Sequence, residues 1–175
     1  MKGLKPINTG LPKYRAFHVT EQGIATCLIT DVGVSLPFVP TPGVKNLPIS
    51  SMKALWDTGA EVSGITEAAA ESLGLKPIDK ARVIHAGGEK VVNVYLVNLF
   101  LPNNFLLPSH RVLECSVAHG KFEVLIGMDI ICFGDISLSH AKGKTEFSFR
   151  MPAIGGPNFL KDKYGGQLDN LSHRN

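Results

Sequence analysis

The feature that most constrains this chain is a carboxylate set directly behind an apolar run, where Ala54-Leu55-Trp56 leads into Asp57-Thr58-Gly59-Ala60. An acid at the end of a buried strand is costly to desolvate unless donors stand beside it. Thr58, Gly59 and Ala60 supply a hydroxyl, backbone N–H groups and little bulk. Glycine also permits a tight turn and the close approach of a second backbone. The segment therefore calls for a strand that ends abruptly in a hydrogen-bonded loop. Taken alone, the tetrapeptide suits an Asx-type turn between two strands slightly better than a reactive site.

The surrounding pattern is β-rich. With 175 residues, 44% of them hydrophobic and 19% charged, the chain can bury one core and carry tails, and its 18 glycines and 11 prolines punctuate it with turns. Extended pieces are expected at Arg15 to Thr20, Gly23 to Asp31 and Val34 to Val39, with turns at Glu21-Gln22-Gly23 and Asp31-Val32-Gly33. Ile49 to Trp56 forms the next strand, after the loop Thr41-Pro42-Gly43. Thr66 caps a helix of more than two turns through Leu73, and Gly74 ends it in a left-handed conformation. Ala81 to His85 and Val91 to Leu101 make a hairpin across Ala86-Gly87-Gly88-Glu89. Arg111 to Ala118 alternates as a half-buried strand, Phe122 to Ile126 is buried, and Gly127 to Cys132 makes one helical turn with Gly134 as its exit. Ile136 to Ser139 and Thr145 to Phe149 close the fold around Lys142-Gly143-Lys144. Residues after Pro152, such as Lys161 to Gly166, read as a tail or surface strap.

Several chemistries are unsupported. Cys27, Cys115 and Cys132 are widely spaced and read as buried apolar thiols, which argues against a disulfide framework or a thiolate metal site. His18, His85, His110, His119, His140 and His173 show no ligand spacing and no matching acid, so no metal or other cofactor is expected. No Gly-x-Ser-x-Gly occurs, and Gly87-Gly88 does not open a phosphate-binding helix. The net charge of +3 is scattered, apart from Lys2, Lys5, Lys13 and Arg15 near the start, and no basic-aromatic stripe suggests nucleic acid. No apolar run approaches the roughly 20 residues of a membrane span, and the opening residues lack a secretory leader. A cytoplasmic address, with no membrane partner, is the simplest expectation.

The motif does not stand alone. Together with Val124-Leu125-Ile126-Gly127-Met128-Asp129-Ile130-Ile131, in the same order and with a glycine-tipped hairpin between them, it resembles the retropepsin-like aspartic proteases. These are single-lobed relatives of pepsin found in retroviruses, retrotransposons and many cellular proteins. The resemblance runs from about Leu47 to Phe149. It implies an all-β, single-lobe acid-protease barrel with a flap hairpin and one or two short helices. The chain then divides into an N-terminal extension (1–46), a protease domain (47–150) and a C-terminal tail (151–175). Met128-Asp129 stands where retroviral enzymes carry Arg followed by Asn or Asp, closer to the retrotransposon and cellular versions. Trp56 is bulkier than the usual aliphatic residue, and is expected to reshape the neighbouring pocket.

The resemblance also implies a mechanism: two carboxyls share one site, one accepting a proton from water while the other donates toward the peptide carbonyl. This chain has one Asp-Thr-Gly and no internal repeat, and neither Asp129 nor Asp135 is followed by Thr-Gly or Ser-Gly. A homodimer would bring two copies of Asp57 together on its two-fold axis. Asp57, Thr58 and Gly59 are then the catalytic loop. Ala60, Glu61, Gly87 and Gly88 contact an extended peptide or protein substrate, although Glu61 is equally well read as a solvated strand-edge acid. The implied activity is that of an aspartic endopeptidase. The alternative is a non-catalytic dimeric peptide-binding or scaffold module on the same fold.

Overall fold

The computed structural model describes residues 14–38, 48–85, 88–116 and 121–159. Among the described residues, ten strands carry the architecture. Seven of them form one sheet: β2 (Leu28–Ser35), β3 (Ser50–Trp56), β4 (Gly64–Thr66), β5 (Asp79–His85), β6 (Gly88–Phe100), β7 (Leu106–Cys115) and β8 (Val124–Ile126). Their order is β2-β3-β8-β4-β7-β6-β5, and a further pairing of β2 with β6, with Val34 opposite Leu99, curls the sheet back on itself. A second sheet of three strands joins β1 (Arg15–Gln22), β9 (Asp135–Ser139) and β10 (Lys144–Met151) in the order β1-β10-β9. An all-β fold with two short helices is what the turn-rich, alternating sequence implied.

The two sheets meet through aromatic side chains. Period-two alternation in β10 turns Phe147 and Phe149 inward, where they meet Phe17 of β1 and Trp56 of β3 with ring centroids 4.9–6.1 Å apart. Trp56 is buried and donates its Nε1–H to Thr30 Oγ1 at 2.9 Å. It points into the core, so the expectation that it reshapes a pocket beside Asp57 is corrected. Valines and leucines of β2, β6 and β7, with Ile126 and Ile130, fill the rest of the core. Each fully buried side chain of this size contributes about 1.5–3 kcal/mol.

Helix α1 (Glu67–Ser72) begins at Thr66, whose Oγ1 accepts from Ala69 N at 3.2 Å. It ends at Gly74, with φ of +67°. It is six residues long, shorter than the expected two turns, because the chain must leave it at Lys76-Pro77 to enter β5. Helix α2 (Met128–Ile131) is the single turn expected after Gly127.

The opening of the chain differs from expectation. Asp31-Val32-Gly33 is not a turn, since β2 runs unbroken through it with Val32 opposite Met52. Glycine is needed there because a Cβ at Gly33 would lie 2.7 Å from Ile49 Cγ2 and 3.1 Å from Phe100 Cβ. Of the expected run Gly23 to Asp31, Leu28 to Asp31 is strand within β2, whereas 23–27 is a loop, pinned where Gly23 N donates to Gly143 O and Ala25 N to Thr145 Oγ1. β1 and β2 are integral to the two sheets. The cysteines are also corrected: Cys27 and Cys132 are exposed and only Cys115 is partly buried. Burial pushes the Cys115 thiol up to about 11, with the nearby Glu114 charge adding to the shift. Val39, the Thr41-Pro42-Gly43 loop, Gly87, His119, His173, Lys161 to Gly166 and the first thirteen residues lie outside the described residues.

Candidate active site

The site is assembled by a crossing of chain segments. Strand β8 lies between β3, to which it is parallel, and β4, to which it is antiparallel, with Trp56 opposite Ile126 and Gly64 opposite Leu125. The loop from Asp57 to Ser63 must therefore pass over the end of β8 to reach β4. Asp57 N donates to Ile126 O at 2.9 Å, which fixes the exact end of β3. The loop then turns on itself, Gly59 N donating to Asp57 Oδ1 at 2.8 Å and Ala60 N to Asp57 O at 3.2 Å.

The second signature holds this loop from behind. Met128 N donates to Ala60 O at 2.8 Å and Asp129 N to Glu61 O at 3.1 Å. Gly127 allows the approach: a Cβ there would sit 2.8 Å from the carbonyl carbon of Val62 and 2.9 Å from Ala60 O. Gly127 N donates to Ser63 Oγ at 3.0 Å, and that hydroxyl donates in turn to Asp129 Oδ1 at 2.7 Å. Ser63 N lies 3.0 Å from both Asp129 oxygens.

His110 of β7 completes the network, its Nε2 lying 3.1 Å from Asp129 Oδ2. This corrects the expectation that no histidine has a matching acid. Burial pushes the Asp129 carboxyl upward, but the bonds from His110 and Ser63 outweigh it and hold the group below the usual carboxylate range. Ser63 and His110 were not singled out from the sequence. Nothing local marks them, because their partner is 66 residues from one and 19 from the other.

The loop brings together Asp57, Thr58, Gly59, Ala60 and Glu61. Asp57 is half-buried, Thr58, Gly59 and Glu61 are exposed, and Ala60 is half-buried. Gly88 opens β6 at the end of the β5–β6 hairpin, opposite His85 and with φ of +114°. Asp129 and Asp135 are both engaged away from Asp57. Asp135 accepts from Arg150 Nε at 2.8 Å, Ile154 N at 2.9 Å and Gly155 N at 3.1 Å. The Ile154 N–H and the Arg150 guanidinium hold its carboxyl below the ordinary range. One chain thus presents a single aspartate of the Asp-Thr-Gly motif, with exposed Glu61 four residues further along the same loop. Among the described residues, no group of His, Cys, Asp and Glu is placed to hold a metal ion. No described helix is long and apolar enough to cross a membrane.

Comparison with known proteins gives one family match and several structural ones. The aspartyl protease family model matches residues 44–130, which contain the Asp57 motif, the hairpin and the second signature as far as Ile130. A search of curated protein sequences finds no match. Among solved structures, the chain is similar to a retropepsin-like aspartic protease from Rickettsia conorii, with 14% identity and a TM-score of 0.47 over 79% of this chain and 96% of that one. It is also similar to the EIAV protease complexed with the inhibitor HBY-793, with 18% identity and a TM-score of 0.45 over 61% and 86% of the two chains. The retroviral protease-like domain of Ddi1 from Leishmania major has 19% identity and a TM-score of 0.39 over 65% and 82%. With the match spanning the Asp57 loop, the Gly127 turn behind it and the hairpin that lies between them in sequence, residues 44–130 of the chain match the aspartyl protease family.

Proposed function

We propose that the protein is an aspartic endopeptidase that works as a homodimer. The observation that carries this reading is the loop itself: an open Asp57 carboxylate, oriented by Gly59 N–H and locked from behind through Ala60 and Glu61. Such a group is held for use at the surface, and one alone lacks the proton donor that peptide hydrolysis needs. A second copy supplies it. In the dimer one Asp57, ionised, accepts a proton from water while the other, protonated, donates toward the scissile carbonyl oxygen; two close carboxyls favour this singly protonated state. Exposed Thr58 braces the two loops across the axis, and Gly59 and Ala60 offer backbone to the substrate.

The β5–β6 hairpin acts as the flap, with Gly87 and Gly88 closing over an extended peptide or protein segment and bonding it strand to strand. Glu61, exposed at the loop's end, contacts the same segment. The core of the chain is the protease domain over 47–150, working in the cytoplasm. Cleavage of a mixed peptide library from acidic to neutral pH, by wild type and Asp57→Asn, tests the reading. Turnover by wild type and its loss in the variant are expected. Equal cleavage by both would remove Asp57 from the chemistry, and thermal stabilisation by a pepstatin-like compound without any cleavage would leave a binding module instead.

A further inference from the structure

Strand β7 is irregular immediately before the histidine that touches Asp129. In the β6–β7 ladder Val97 lies opposite His110 and Leu99 opposite Leu107, so two residues of β7, Pro108 and Ser109, stand against Asn98 alone. The extra residue makes a bulge, and proline suits it because it has no N–H to give to the ladder. The bulge decides where the next side chain points. Side chains alternate along a strand, so without the extra residue Ser109 would oppose Val97 and His110 would turn to the other face. With it, His110 shares the inward face of buried Val97 and Val112. Ser109 adopts φ of +48°, the left-handed region that residues other than glycine rarely occupy, and is itself exposed. Its N–H donates to Asn98 Oδ1 at 2.7 Å, and fully buried Asn98 donates in turn to Phe38 O at 3.2 Å. A strained residue latched by a buried amide is fixed by its surroundings, a pattern that clusters at functional sites.

What the bulge delivers is the ring of His110. Its Nε2 lies 3.1 Å from Asp129 Oδ2, and an ionised carboxylate only accepts, so Nε2 carries the proton in this contact. The same carboxylate accepts from Ser63 N and Oγ, while Asp129 N donates to Glu61 O. Strand β7 also reaches this end of the loop directly, Leu113 N donating to Ser63 O at 3.0 Å. We infer that His110 is a positioning residue for the hydrolysis, turned inward by the bulge at Ser109 to fix Asp129 and, through it, the end of the Asp57 loop. The inference rests on the proteolytic reading above and deepens it by tying the loop's geometry to β7. Positioning matters because a misplacement of about 1 Å can cost about 10²-fold in rate, even when its origin is remote from the reacting atoms.

Two pairs of variants test it. His110→Leu removes the donor at similar bulk, whereas His110→Gln keeps an amide N–H near the place of Nε2. His110→Leu is expected to lower kcat at least about tenfold with KM within about twofold, and His110→Gln to recover to within about threefold of wild type. Ser109→Val, at an exposed position where a β-branched residue resists positive φ, is expected to lower kcat as His110→Leu does. Ser109→Gly, which adopts that φ freely, should lower it less than about threefold. Amide hydrogen exchange at Gly59 and Ala60, whose N–H groups bond to Asp57, reads the loop without turnover. It should quicken at least about tenfold in His110→Leu and Ser109→Val, and in neither of the other two. An unchanged kcat in His110→Leu, or a His110→Gln no better than His110→Leu, overturns the positioning role while an Asp57-dependent protease stands. A wild type that cleaves nothing removes the protease, and the exchange rates then decide by themselves whether His110 holds the loop. Should His110→Leu fail to fold, the Ser109 pair decides.

Discussion

Two carboxylates stand at opposite sides of one loop, and their surroundings diverge. Asp57, at its front, is half-buried and receives a single N–H from two residues along the same loop. Asp129, behind it, receives the N–H and O–H of Ser63 and contacts the His110 ring, bridging α2, β7 and the loop. The first is left with room to exchange a proton. The second is saturated and serves as a fastening. Proximity to a motif therefore says little about an acid's role; the count and origin of its partners say more.

That contrast can be broken most forcefully at the front. Asp57→Asn should lower peptide cleavage by about 10²-fold or more while moving stability by less than about 0.5 kcal/mol in denaturant titrations, because it gives up only one local bond. Asp129→Ala should do the reverse in its first effect. It strands the Ser63 N–H and O–H in a buried place, and a loss of about 2–4 kcal/mol by urea denaturation is expected. Gly127→Ala should cost about 1–3 kcal/mol in the same measurement, since its Cβ would press on the backbone of Val62 and Ala60.

The smallest effect is a pH limb. The folded-state pKa of Asp129 lies below its unfolded value, so its contribution to stability is present above the unfolded carboxylate pKa near 4 and fades as pH falls through the lower, folded value. Melting temperatures between about pH 2 and 5 should fall less steeply in Asp129→Asn than in wild type. Identical slopes would mean that Asp129 is no more fastened than Asp57.

What could be read from the sequence was local. Asp57-Thr58-Gly59, the Ile126-Gly127 turn, the Thr66 cap and the Gly74 exit each declare themselves within a few residues, and the alternation in β3 and β10 exposes their buried faces. What was missed depends on distant partners. Gly33 looked like a turn because its reason, the crowding of Ile49 and Phe100, comes from other strands. Trp56 looked like a pocket wall until Phe147 and Phe149 claimed its ring. The pairing of His110 with Asp129 and the exposure of Cys27 and Cys132 likewise follow from tertiary placement. Among the candidate site residues, those in the loop were legible as a group, whereas Ser63, which anchors that group, was not.

The zipping of β1 onto β10 sets an order of events during biosynthesis. His18 and Ser148 touch across 130 residues of chain, so β1 finds its place only after β10 has been made. Until then the faces of Trp56 and Phe17 that meet Phe147 and Phe149 stay uncovered, and the partly made fold carries a sticky aromatic surface. The same long-range closure that seals the floor beneath Asp57 therefore postpones an ordered catalytic loop until nearly all of the barrel has been made.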